Sequence, residues 1–167
     1  DLTGQLALRV RQMAESAKTH LDSIVFSLLA SGFATPGYDG ANFFGDHTSG
    51  APGAKFTQSN KLTGEALSAT AIQDAITLMQ RFLDDSGRPM GMMPDTLVVP
   101  PELQWEAWTL MNSAFYPDPV STANQQLGAN PLRGALKVTS VPYLADTDDW
   151  FIIDTKRVIK AIILNRK

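Results

Sequence analysis

Pro94-Asp95-Thr96-Leu97-Val98-Val99-Pro100-Pro101 is the stretch on which the fold turns. Thr96 to Val99 reads as a short strand, a run of strand-favouring residues stopped by two prolines. Proline is tolerated at the first position of a helix, where its missing N–H would be unpaired anyway, so a helix is expected to open at Pro101. Its apolar residues are Leu103, Ala107, Trp108, Leu110 and Met111. Core packing is the default for Trp108. Trp105 lies off that stripe and, if exposed, marks a contact surface, because large aromatic rings anchor interfaces.

Toward the N-terminus, Ser68 is the expected N-cap of a preceding helix, with Leu67 stapled onto Ile72. Ile72, Ala75, Ile76, Met79, Phe82 and Leu83 form its apolar stripe, and Asp84-Asp85-Ser86-Gly87 ends it. Further back, Ala34 to Gly64 is rich in Gly, Pro, Ser, Thr and Asn without a sustained period, and reads as a long loop with short strands at most. Tyr38, Phe43, Phe44 and Phe56 are its apolar residues, Phe43 and Phe44 pinning the loop to the body. The first segment, Thr3 to Ser31, reads as one long amphipathic helix. Leu6, Val10, Met13, Ala14, Ala17, Leu21, Ile24, Val25, Leu28 and Leu29 mark its stripe. Thr3 is expected to cap it and Gly32 to close it in a left-handed conformation. A helix of this length, about 40 Å at 1.5 Å per residue, is expected to be a backbone along which other elements lie.

Toward the C-terminus a second loop runs through Pro117, Pro119, Asn124 and Gly128. Three strands are expected after it: Leu136 to Val141, Trp150 to Ile153 and Val158 to Leu164. Asp154-Thr155-Lys156-Arg157 would turn the last two into a hairpin. The class is mixed α+β, helices flanking a small sheet.

Composition narrows the function classes. With 167 residues the chain can bury a real core, and 44% hydrophobic with 19% charged residues is a globular mix. A net charge of −3 disfavours nucleic-acid binding by bulk electrostatics. The absence of cysteine excludes a disulfide scaffold, a thiolate zinc site and a cysteine nucleophile. No apolar run is long enough to span a bilayer. The start on Asp1, with a polar helix-like stretch, leads to the expectation of no signal peptide and of a truncated or trimmed chain.

Three places in the sequence hold residues with chemical potential. Asp39, Asp46 and His47 share one loop and could bind a divalent metal for a hydrolase, but their spacing matches no metal motif. The simpler reading makes Asp39-Gly40 a turn and lets His47 satisfy loop backbone groups. Gly50 to Lys55 is superficially similar to a phosphate loop, yet lacks the Gly-Lys-Ser/Thr ending and a preceding strand. Glu102 and Glu106 are paired carboxylates one turn apart, for which the favourable end of a helix dipole is reason enough.

Taken in order, several blocks resemble a known family. They are Leu28-Leu29-Ala30-Ser31-Gly32-Phe33, then Tyr38-Asp39-Gly40 with Phe43-Phe44 and Asp46-His47. Asn60, Ala66-Leu67-Ser68 and Asp84-Asp85-Ser86-Gly87-Arg88-Pro89 follow, then the Pro94 to Pro101 block and Trp150-Phe151. Together they resemble the Mu-like phage and prophage major head subunit (gpT) family. That resemblance implies a tailed-phage major capsid fold of the Hong Kong 97 type, here a fragment of it. Residues 1–33 would be the spine helix of the peripheral domain, 34–65 a long connecting loop, and 66–167 an axial-type α+β domain with a central sheet and flanking helices. It implies a non-enzymatic subunit with no catalytic residue, metal or cofactor. Copies would form a homo-oligomer of hexamers and pentamers, an icosahedral shell around double-stranded DNA held without specific binding. The implied partners are neighbouring subunits, with scaffold or protease and portal proteins during assembly. The implied place is the virion, after assembly in the bacterial cytoplasm, with no membrane partner. The fragment, lacking arms that clasp neighbours, is expected not to form shells alone.

Interface candidates are Phe43 and Phe44 in the first loop, Trp105 on the third helix, and Phe115 and Tyr116 at the start of the second loop. Two other functions compete with the shell subunit: an encapsulin-like compartment shell, and the metal-dependent hydrolase of Asp39, Asp46 and His47.

Overall fold

A computed structural model describes residues 2–49, 55–117 and 127–157. At its centre is β3 (Thr96–Val99), the strand expected from the opening stretch. It runs parallel to β6 (Lys137–Ser140) on one side and antiparallel to β7 (Phe151–Ile153) on the other. Side chains alternate along a strand, so Leu97 and Val99 enter one face and Val98 the other. All three are buried, which is why this strand is a continuous apolar run rather than an alternating one.

Two clusters form the core, one on each face. Leu97 and Val99 pack with Leu67, Ile72, Ala107, Met111, Leu132 and Leu136. Val98 packs with Leu29, Val141, Leu144 and Phe151. The first cluster is covered by α2 (Ala69–Gln80) and α3 (Gln104–Asn112), the second by the C-terminal end of α1 (Leu2–Ser31). Pro101 opens a 3-10 turn, Pro101–Leu103, that leads into α3. The class is α+β, with helices on both sides of a three-stranded sheet.

Ser68 caps α2 as expected: its side chain accepts from the Ala71 N–H at 3.1 Å. The helix stops at Gln80, earlier than its apolar pattern suggests. Phe82 and Leu83 lie beyond it, in a turn whose ends pair as Leu83 and Pro89. The reason is long-range. The Gln58 amide donates to the Leu83 carbonyl at 3.1 Å and accepts from the Leu83 N–H at 3.0 Å, holding that residue out of the helix.

Both loops contain paired strands. β1 (Asp46–Ser49) and β2 (Phe56–Ser59) are antiparallel, as are β4 (Phe115–Pro117) and β5 (Leu127–Ala129). Buried Asn130 ties the second pair to α3, donating to the Leu110 and Ser113 carbonyls at 2.7 and 3.0 Å and accepting from Leu132 N–H at 3.0 Å. The expected strand Val158 to Leu164 lies outside the described residues, and so does its hairpin with β7.

Three expectations for α1 need correction. The helix already includes Leu2, so Thr3 stands inside it rather than capping it. Gly32 does not adopt a left-handed conformation. It is required by space instead: a Cβ there would sit 2.8 Å from the Phe44 ring. The helix is also not a backbone with other elements laid along it, because residues 4–20 are exposed throughout.

Candidate assembly interface

The 30 residues of α1 extend about 45 Å. Only its last turns meet the body. Leu29 is buried beside Val98 and Phe151, and Phe26 packs against the same cluster. Phe44 completes this attachment, its ring centroid 4.9 Å from that of Phe33 and 5.5 Å from that of Phe151. Phe43 meets Phe44 edge-on at 5.0 Å. Both phenylalanines of the first loop are thus half-buried in an aromatic cluster that holds α1 at its exit from the body.

At about 100° per residue, Leu6, Val10, Met13, Ala17, Ile24 and Leu28 fall on nearly the opposite side of α1 from Phe26 and Leu29. That side is open: Leu6 is 65% exposed, Met13 74% and Leu28 51%. Isolated exposed apolar residues are ordinary, whereas a continuous stripe several turns long marks a surface awaiting a partner. Arg9 borders it on one edge.

A second uncovered surface lies on α3. Ala107 and Met111 face the core, which turns Trp105 and Trp108 outward, 72% and 56% exposed. Trp108, on the edge of α3 next to Met111 but 56% exposed, therefore corrects the expectation of core packing. Glu102, in the turn before α3, and Glu106 are exposed as well. Phe115, on β4, is also exposed, and Tyr116 is its neighbour on that strand.

The polar cluster of the first loop is a clasp. The His47 Nδ1 lies 2.7 Å from the Asp39 Oδ2, and Nε2 lies 3.2 Å from the Phe43 carbonyl oxygen. An ionised carboxylate and a carbonyl only accept, so keeping both bonds takes an imidazolium. The hydrogen bond to Asp39 accordingly raises the His47 pKa above its ordinary value, and the same bond lowers that of Asp39. Asp46 sits on β1 opposite Ser59, and its charge further favours the cation. With both ring nitrogens occupied, His47 has none to offer a metal, which removes the basis for the hydrolase of Asp39, Asp46 and His47. Among the described residues, no three acidic or imidazole groups converge as a metal site requires. No helix among them is long and apolar enough to cross a membrane.

The described residues thus form a small α+β body that displays a long apolar helix stripe and two exposed tryptophans. The chain belongs to the phage capsid protein family, whose model matches residues 1–165. It is a structural capsid protein, not an enzyme. Among solved structures, the bacteriophage JBD30 capsid is similar, with 19% identity and a TM-score of 0.58 over 81% of this chain and 66% of that one. A second, the JBD30 capsid decorated with minor capsid protein trimers, gives 19% identity and a TM-score of 0.56 over 81% and 65%. The chain thus spans just under two thirds of those capsid chains. At this identity the likeness concerns the fold alone. No curated protein matches the sequence.

The stripe of α1 is visible in the sequence, where other elements were expected to lie along it, whereas residues 4–20 are exposed. Trp105 was found by its position off the apolar stripe of α3. Trp108 was missed as a surface residue because Trp108 and Met111, three apart, look like one face until the real core direction is known.

Proposed function

We propose that this chain is part of the major head subunit of a Mu-like phage or prophage. Copies assemble into hexamers and pentamers of an icosahedral shell that encloses double-stranded DNA. In this reading, residues 1–33 are the peripheral spine helix, 34–65 the connecting segment and 66–167 the axial domain. The observation that carries it is the uncovered stripe Leu6 to Leu28 in a chain of the capsid family. Buried against a neighbour and repeated by symmetry, such a stripe supplies many copies of one modest contact. Phe43, Phe44, Trp105, Phe115 and Tyr116 are the further contact candidates, the first two acting through the loop they pin. Scaffold or protease and portal proteins are the assembly partners, in the bacterial cytoplasm. The acidic balance of the chain suits DNA enclosed rather than gripped, since tight binding needs basic groups on the phosphates.

Expression of the complete reading frame, followed by electron microscopy, tests this proposal. Closed particles built of six- and fivefold capsomers are expected. A protein that stays monomeric at high concentration, in the presence of its scaffold gene, would refute it.

A further inference from the structure

The end of α2 has no local cause. No glycine or proline stands between Gln80 and Gly87, and no residue in that stretch has the positive φ of a left-handed cap. The last helical bonds tighten instead: the Arg81 N–H is shared between the Thr77 and Leu78 carbonyls, and the Phe82 N–H reaches Met79 at 3.3 Å. At about 100° per residue, one further turn would set Leu83 between Ile72 and Ile76 in projection. Ile72 is fully buried and Ile76 packs on the same cluster, so a helical Leu83 would continue the core side of α2. What holds Leu83 elsewhere is the Gln58 amide, donating to its carbonyl at 3.1 Å and accepting from its N–H at 3.0 Å.

Gln58 belongs to the β1–β2 ribbon, where it stands opposite His47. Between this strand and the end of α2 lies a cleft of about 340 Å³, lined by Phe56, Leu78, Arg81, Phe82 and Leu83. The cleft leaves room for Phe82 and Leu83 to turn. We infer that the last turn of α2 is a switch worked by the ribbon: a turn while Gln58 holds Leu83, a helix once Gln58 withdraws. In the helical state the Phe82, Leu83 and Asp84 N–H groups bond to the Leu78, Met79 and Gln80 carbonyls, which replaces the amide. The extension stops there. Asp84 already accepts from the Ser86 and Arg88 N–H groups, and carboxylates are disfavoured at the negative end of a helix dipole. An element with two discrete arrangements lets a contact in one place be felt in another. The outer side of the ribbon carries exposed Asp46, Thr48 and Thr57, so a contact that draws the ribbon off the body lengthens α2 by about one turn.

Gln58→Leu keeps the size of the side chain and removes both bonds, imitating a withdrawn ribbon. In its NMR spectrum the Cα shifts of Phe82 and Leu83 are expected to move to helical values. A new Overhauser contact between the Met79 Hα and the Leu83 N–H should accompany them. Adding Leu83→Pro should keep Phe82 out of the helical range, because proline lacks the N–H and clashes with the carbonyl four residues back. Non-helical shifts at Leu83 in a Gln58→Leu chain whose other signals stay native overturn the switch. A helical Phe82 that survives Leu83→Pro overturns it as well. Should Gln58→Leu disturb the signals of the core, relaxation dispersion on the unaltered chain decides. Phe82 and Leu83 are then expected to exchange with a minor state of helical shift, and their failure to do so refutes the inference. The free chain is used throughout, so the outcome is independent of whether the complete subunit forms shells.

Discussion

At the scale of single residues, the polar side chains that hold segments together do so through bonds between parts of the chain far apart in sequence. Asn130 serves two carbonyls at the end of α3 and one N–H of the following turn. Asn130→Ala leaves those groups without partners in a buried place, and should cost about 1–3 kcal/mol in urea unfolding. A loss under about 0.5 kcal/mol would show that water replaces the amide. The clasp of His47 and Asp39 makes a pH prediction. The folded pKa of His47 is raised above 6.5, so its contribution is fully present below pH 6.5 and fades as pH rises through the folded value. The Asp39 pKa is lowered below 3.8, so its contribution is present above pH 3.8 and fades as pH falls through the folded value. The melting temperature of the wild type relative to His47→Gln should therefore be most favourable between these limits and converge toward alkaline pH. In an NMR titration, Asp39→Asn should bring the His47 midpoint down toward 6.5. An unchanged midpoint would mean that the carboxylate is not the partner.

At the scale of elements, β3 and the start of α2 were legible because local chemistry decides them. Prolines end the one and a serine cap opens the other. The end of α2 was not legible, since the apolar period runs on through Phe82 and Leu83. Only the amide of Gln58, some twenty-five residues away, takes Leu83 out of the helix. The close of α1 was misread for a related reason. A glycine after a helix suggests a left-handed cap, but Gly32 is there to admit a ring. Gly32→Ala would drive a methyl group against Phe44, itself boxed in by Phe33 and Phe151, with the Leu29 carbonyl 3.1 Å away on another side. Overpacking of this kind costs about 1–3 kcal/mol. The loss should appear in thermal unfolding and be partly recovered by Phe44→Leu in the same chain. A neutral Gly32→Ala would show that the aromatic cluster yields easily.

At the scale of the whole molecule, an apolar period tells which side of a helix avoids water but not which chain keeps water off. That is why the stripe of α1 was legible and its exposure was not. The same holds for Trp108, whose outward turn depends on where the body places Ala107 and Met111. The central claim is that Leu6 to Leu28 is a surface between subunits, contributing to assembly and not to the stability of one chain. Val10→Gln with Met13→Gln tests it most directly, because glutamine keeps helix propensity while removing the apolar surface. Both sites are exposed, so unfolding of the chain should shift by less than about 0.5 kcal/mol. The measurement is the yield of closed particles by negative-stain electron microscopy, from the complete reading frame with and without the two substitutions. Shells from the unaltered protein and almost none from the variant are expected. Shells at equal yield from both would contradict the claim.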